Sequence, residues 1–559
     1  MGLIPDPRDA ISPWRLSLML YRRDLVNYRI FVLLALALLP LPSLQAQQPD
    51  PTPPQATAQL TLSETPLDLA REQAALGNNA AAADLFRTAL GGPQPPTLSD
   101  TDTLAYATAL AATGELPSAE QQLSTALVRS PDAAPLNDAL GTLLAQSGHL
   151  DQALPYFQHA VATDPSLAQA QYHLGTALLS LNQPDAAIAP LQLAVAAMPS
   201  SFAAQLQLGN ALSATHRDAE ALTHLHLAAQ LRTPTTSPDA LYALALALQA
   251  SGDAKGSLPI FEAATNPASA TNSPSASSAT TSAALTNYAL AHVQTGDAAN
   301  ALPLYQRALN LGPDTATLRE DFGVAYLQQS DLDHAIEQFH AGLALEPDSA
   351  HLHYDLGLAF KLKDDLAAAV PEFERAAQLD PSLPDPPFTL GILYMQQGRF
   401  PDAIAQLKHA TTLQPTNGDA WAILGSVLKD TGDSAGALDA LTRAVALEPD
   451  QPSLHIQLAA LDTEAGNRTQ AAAERKQAAD LSRAANNRQR AGFALKSGRV
   501  LLDQNKLPEA ILQLNTAIQA DPTLAEPHRL LADAYTRLGK SNEAAAERKQ
   551  AADLTTPQP

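Results

Sequence analysis

Cysteine is absent from the 559 residues. That excludes disulfides, thiolate catalysis, cysteine-ligated metals and a lipid-modified N-terminal cysteine, and leaves packing alone to stabilise the chain. Aromatic residues are scarce at 5%, with two Trp and 12 Phe, so a core built on large rings is excluded as well. Charge is thin at 16% of residues and runs acidic: 57 Asp and Glu against 34 Lys and Arg give a net charge of -23. Phosphate backbones need a basic footprint, so nucleic acid is not an expected ligand. The motifs of the common catalytic machineries are missing too, among them the P-loop, a GxGxxG opening a helix, GxSxG and HExxH. What is abundant is Ala, Leu and Gln, a helix-forming set with small side chains suited to close helix packing. The chain is also too long for one compact core, which points to several domains or to an array.

The N-terminus has the layout of an export signal. Arg22, Arg23 and Arg29 precede an apolar run from Ile30 to Leu39, Pro40 and Pro42 break the run, and Leu44-Gln45-Ala46 offers a cleavage point. Residues 1–46 are therefore expected to be a signal peptide and the mature protein to be periplasmic or secreted. The apolar stretch falls short of the ~20 residues that span a bilayer comfortably; the alternative leaves residues 30–44 uncut as an inner-membrane anchor. Residues 47–62, rich in Gln, Pro and Thr, have the composition of a disordered spacer.

Beyond the spacer a period emerges. Pro313, Pro347, Pro381, Pro415 and Pro449 recur every 34 residues, as do Pro131, Pro165 and Pro199. In the repeat that begins at Gly418, Trp421, Leu424 and Leu428 make one apolar helical stripe, with the small residue Gly425 on it. Gly432 punctuates the chain, and Ala437, Leu441 and Ala444 begin a second amphipathic helix that Pro449 closes. The preceding repeat has Leu390, Gly391, Tyr394, Ala403, Leu407, Ala410 and Pro415 in the same places; one earlier stand Leu356, Gly357, Phe360, Ala369, Phe373, Ala376 and Pro381. The Gly of the first helix and the first Ala of the second permit close approach, while the bulky position between (Phe157, Phe261, Tyr305, Phe339, Phe373) fills the hollow between neighbouring repeats. Asp380-Pro381-Ser382 and Asp521-Pro522-Thr523 supply turn and capping groups.

The pattern Trp421-x2-Leu424-Gly425-x2-Leu428, followed by Ala437, Leu441, Ala444 and Pro449, resembles the tetratricopeptide repeat family. The resemblance departs at the fourth position, where Arg319, His353 and Pro387 replace the aromatic. It implies an all-α, right-handed superhelical solenoid of about fourteen helix-turn-helix repeats, beginning near residues 63, 100, 134, 168, 202, 238, 282, 316, 350, 384, 418, 452, 491 and 525. The array reads as three blocks: 63–265, then a Ser/Ala/Thr/Pro-rich loop or hinge at 266–281, a second block at 282–485, a linker at 486–490, and a C-terminal pair at 491–558. The eleven residues Ala471–Leu481 recur unchanged at Ala544–Leu554, placing Arg475 and Arg548 where other repeats bury Phe or Leu. A charged outer face is what a terminal repeat needs; the alternative has Arg475 snorkelling at an ordinary junction.

The resemblance also implies a function: binding polypeptides along the groove lined by first helices. Carried onto this sequence, the family's groove positions hold His351, Tyr354, Leu358 and Lys361 in one repeat and Phe388, Ile392, Met395 and Gln396 in the next, with Tyr172 in an earlier one. An apolar, aromatic strip with one Lys suits an amphipathic helix or an extended peptide. The expected protein is thus a non-enzymatic envelope scaffold that needs no cofactor or metal and works as a monomer or weak oligomer. The alternative is a membrane-tethered assembly or accessory factor of a secretion or glycan-processing complex. His224/His226 and His351/His353 are spaced two apart, so the members of each pair do not share a helix face and make poor metal ligands. Arg468 to Lys506 holds nine basic and three acidic residues, inverting the overall sign; a solvated face, an acidic partner and a membrane surface are all open readings.

Overall fold

A computed structural model describes residues 65–265 and 278–555. The expected signal peptide, the spacer to residue 62 and residues 266–277 of the Ser/Ala/Thr/Pro-rich stretch lie outside the described residues. Among those described there are 27 α-helices and no strand. The chain divides into two compact bodies, residues 1–346 and 347–559. Helix pairs in the first run from Pro66–Ala75 with Asn79–Leu90 to Ala316–Gln328 with Leu332–Leu345; the second begins with Ala350–Leu362 and Leu366–Leu379. Within each body every helix packs chiefly against its neighbours in sequence, as expected of a solenoid.

Each repeat is closed by one backbone feature. The fifteenth position, between the two helices, has positive φ in all fourteen repeats. Nine are Gly, with φ from 72° to 93°, where the missing Cβ makes this conformation accessible. Asn182, His216, Ser330, Asp364 and Asn505 adopt it as well, with φ from 56° to 65°. The shorter turn between repeats is fastened by polar side chains. Asp380 Oδ1 accepts from the Ser382 N–H and hydroxyl at 3.0 and 2.6 Å, and Asp521 does the same for Thr523.

Inside a repeat, the eighth position of the first helix meets the twenty-fourth of the second. A Cβ on Gly357 would lie 2.8 Å from Phe373 Cε1, and one on Gly323 would lie 2.4 Å from Phe339 Cε1. The bulky side chain therefore rests in the notch of its own repeat's glycine, rather than only in the hollow between neighbours. Phe339 and Phe373 are fully buried there.

In six repeats the fourth position, which in the resembled family is aromatic, carries a side chain bonded to the proline carbonyl that ends the previous repeat. Asn137, Gln171 and Gln205 donate to the carbonyls of Pro131, Pro165 and Pro199 at 2.8, 3.0 and 2.9 Å. Trp421 Nε1 donates to Pro415 at 2.9 Å, and the Nε2 atoms of His353 and His455 bond Pro347 and Pro449 at 3.0 and 2.8 Å. Donors of different shape fill this place in those repeats, whereas Leu241 and Pro387, which have no side-chain donor, fill it in others. A second tie links the fourth position to the twenty-third, as in His353–Glu372 at 2.6 Å and His528–Glu547 at 2.6 Å.

One element departs from the pairwise plan. Arg468–Asp503 is a single helix of 36 residues that joins the second helix of one repeat to the first helix of the next. Residues 486–490, expected as a linker, lie inside it. The physical reason is that no Gly or Pro occurs between Gly466 and Gly492, so nothing in the stretch interrupts helical hydrogen bonding. Five extra residues entered as helix instead of loop.

Candidate peptide-binding groove

The first helices Ala350–Leu362 and Asp385–Gln396 belong to one body and carry the expected strip. Their apolar residues do two different jobs. Tyr354 is buried at 6% exposure, against Phe373 with ring centroids 5.2 Å apart, and its hydroxyl lies 3.2 Å from Thr389 Oγ1 in the next repeat. Leu358 is buried too, whereas Ile392 is half-buried. Tyr172, in the other body, is 2% exposed, and burial pushes its phenol up to about 12. Tyr172 and Tyr354 are thus buried, Tyr354 against the next repeat, and are not open to a ligand.

The side chains that do reach the surface are fewer. Phe388 and Met395 are half-buried, each with one flank on the core cluster that contains Leu390, Leu393 and Leu424. His351 and Lys361 are half-buried and Gln396 is exposed. Burial lowers the Lys361 ammonium from its usual range. The structure therefore brings His351 and Lys361 of one first helix, and Phe388, Met395 and Gln396 of the next, onto adjacent elements as an amphipathic strip.

The paired histidines part company. His224 Nδ1 bonds Gln205 Oε1 at 2.8 Å, while His226 Nε2 meets Asp253 Oδ2 at 2.7 Å. His353 bonds Glu372, and His351 is a half-buried neighbour. Among the described residues no group of three or more His, Cys, Asp or Glu is arranged to hold a metal ion.

A polar cluster that sequence reasoning missed lies in the N-terminal body. His173, fully buried, has its Nδ1 2.8 Å from Asp138 Oδ1 and 3.2 Å from Thr142 Oγ1. Its Nε2 lies 3.0 Å from Gln169 Nε2. The types evoke a hydroxyl–imidazole–carboxylate relay, but the hydroxyl and the carboxylate meet the same ring nitrogen and the ring is sealed from solvent. The arrangement satisfies buried polar groups across the junction between two repeats and offers no open nucleophile. Its only sequence signal is that Asp138 and His173 occupy the fifth and sixth positions of successive repeats.

No helix of the described residues is long and apolar enough to cross a membrane. Two open concavities of about 470 Å³ occur in the C-terminal body, one lined by Arg529, Asp533 and Arg548, the other by Arg490, Phe493 and Gln513. Neither includes a residue of the strip.

Tetratricopeptide-repeat family models match residues 139–202, 320–384 and 388–452, and a further one matches 498–554. These stretches carry the repeat inferred from the 34-residue period. No curated protein matches the chain. Among solved structures it is similar to a double mutant of MamA from strain RS-1 at 19% identity, over 31% of this chain and 96% of that one, with a TM-score of 0.29. A chain of the APC/C hetero-tetramer Cut9–Hcn1 is 16% identical over 85% of this chain and 99% of its own, with a TM-score of 0.30. Yeast Tom70 is 15% identical over 82% and 93%, with a TM-score of 0.32.

Proposed function

We propose that the chain is a non-enzymatic scaffold of the cell envelope that binds peptide segments of other proteins along its first helices. The observation that carries the proposal is the strip on Ala350–Leu362 and Asp385–Gln396. Phe388 and Met395 each keep one flank on the core and turn the other outward, on a helix that also carries the exposed amide of Gln396, while the preceding first helix carries the cation of Lys361. Side chains so held lose little rotamer freedom on binding, which favours them as anchors. Lys361 adds a charge for an acidic or C-terminal group, and Gln396 a donor and acceptor for a backbone. The envelope setting rests on the signal-like segment at residues 1–46.

The full chain, used as bait in the envelope fraction of its own cell, is expected to retain a discrete set of proteins. Phe388→Ala combined with Met395→Ala should abolish that retention while leaving helicity unchanged. Undiminished retention by the double variant would rule out the strip as the binding surface. N-terminal sequencing of the exported protein tests the setting: a chain starting near Gln47 supports export with cleavage, and one retaining residues 30–44 supports the tethered alternative.

A further inference from the structure

The 36-residue helix Arg468–Asp503 breaks the array in a way that exposes both halves of one repeat junction. At the other junctions of the C-terminal body, the third and tenth positions of a first helix lie under the preceding repeat's second helix. These positions hold Pro386 and Leu393, Ala420 and Val427, Leu454 and Leu461, and Pro527 and Ala534, and all eight are buried. In the repeat that begins at 491 they are Phe493 and Val500, equally apolar, yet 68% and 48% exposed. The helix that covers these two positions elsewhere is here the same helix, running collinear instead of folding back. The first described repeat has polar, exposed Thr65 and Glu72 in the same two places, residues suited to a face that meets water.

The other half of the junction is open as well. Ile456 occupies the fifth position, where Tyr354 is packed beneath its successor repeat, and is 57% exposed. On the second-helix portion, Ala472 and Ala479 are exposed at positions that elsewhere in this body hold Val370, Ile404, Leu438 and Ile511, or Ala377, Thr411, Val445 and Ile518.

Register follows from an ordinary junction. A hairpin that leaves its second helix at Leu447 and re-enters at Pro452 sets Val445 level with Leu454 and Leu438 level with Leu461. All four meet in one hydrophobic cluster. The same register applied to the broken junction sets Ala479 against Phe493 and Ala472 against Val500, a small residue opposite a large one each time. Within one chain these partners are 14 and 28 residues apart on a continuous helix, roughly 21 and 42 Å, and cannot meet. Between two antiparallel copies both contacts form twice, about a two-fold axis at residue 486. That residue is Asn486. The stripe Ala472, Ala479, Asn486, Phe493, Val500 has a strict spacing of seven, the period of a two-stranded coiled coil, and a central Asn is the residue type that fixes register in such a seam.

We propose that a second copy of this chain covers the exposed face, the two Arg468–Asp503 helices pairing antiparallel about Asn486 so that each supplies the other's missing repeat junction. The interface is isologous and closes as a dimer. Lys476, which is paired with Asp480 at 2.8 Å, comes level with Lys496 of the second copy. The association is accordingly weakened at low ionic strength and strengthened by salt.

The absence of cysteine makes the test direct. Ala472→Cys with Val500→Cys in the full chain, oxidised in dilute solution, is expected to give a covalent dimer on a non-reducing gel, whereas either single variant stays monomeric. Wild-type protein should sediment as a dimer in the micromolar range, and Phe493→Glu should weaken dimerisation about ten-fold or more with unchanged helicity. A wild-type chain that is monomeric throughout that range overturns the proposal. So does a double-cysteine variant that cross-links within one chain, because that outcome requires the long helix to fold back. Partner retention through the Phe388/Met395 strip is a separate reading and is expected to survive Phe493→Glu.

Discussion

At the scale of the residue, the fold is governed by a few positions whose chemistry is dictated by backbone and volume. The fifteenth position must be left-handed, and five repeats meet that requirement with a side chain. Ser330 has φ of 60° and lacks the local side-chain bonding that helps Asn and Asp tolerate this region. Ser330→Gly is expected to raise stability by about 0.5–1 kcal/mol, read as a higher urea midpoint; a lower midpoint would show that the strain is absent. The opposite sign applies at the eighth position. Gly357→Ala places a methyl 2.8 Å from the buried ring of Phe373 and should cost about 1–3 kcal/mol, with Phe373→Ala costing about 3–5 kcal/mol by the cavity it leaves. These positions were legible in the sequence because volume and φ constraints act on residue identity directly. The role of the fourth position was not: Asn137, Gln171, His353 and Trp421 share no shape, only a donor of the right reach. The groove was legible in part. Position within the repeat selected Phe388 and Met395, which reach the surface, and equally Tyr172 and Tyr354, which do not, because cover by the next repeat depends on a residue some 35 places later (Thr389 for Tyr354).

At the scale of the element, polar ties join successive first helices and also a first helix to its second. Arg71 bonds Asp102 through Nε at 2.7 Å and Nη2 at 2.9 Å, and these bonds hold the 6%-exposed carboxylate down to about 2. A folded-state value below the unfolded one means the contribution is complete above about pH 4 and lost as pH falls toward 2. Asp102→Asn should therefore lower stability by about 1–2 kcal/mol at pH 7 and by little at pH 2, the half-exposed Arg71 limiting the size. His455 shows the reverse sense. Burial opposes its charged form, but the Glu474 carboxylate and the Pro449 carbonyl accept from its two ring nitrogens and hold the imidazolium above its usual range. Its contribution is complete below the unfolded-state value and disappears as pH rises through the folded one. Glu474→Ala is expected to lower the His455 titration midpoint seen by NMR; an unchanged midpoint would mean the carboxylate does not govern it. The long helix teaches a related lesson about legibility. Its two halves follow from the repeat pattern, and the five extra residues read as a break, yet whether an insertion loops or extends a helix turns on its composition. Ser482 to Arg490 contains no helix breaker.

At the scale of the whole molecule, a chain whose helices touch mainly their sequence neighbours has no single core to lose at once. The hydrophobic clusters follow the chain repeat by repeat, with Ala70 to Ala291 in one and Tyr354 to Leu461 in another. Stability in such an array is a sum of repeat and junction terms, so opening is graded along the chain. The last described helix, Ser541–Thr555, buries only Ala544 and Ala551 and carries Arg548 outward to bond Thr536 at 2.8 Å. Native-state hydrogen exchange is expected to show the weakest protection there and the strongest in repeats flanked on both sides, such as those holding Phe157 and Leu407. The repeat at 491–520 supplies the discriminating case. Alone, its uncovered first helix should exchange almost as readily as the terminal repeat. Covered by a second copy, its amides around Phe493 and Val500 should gain protection as protein concentration rises, while those of Ser541–Thr555 stay constant. Exchange that is uniform along the chain would contradict the additive picture, and protection around Phe493 that ignores concentration would contradict the dimer while leaving the solenoid intact.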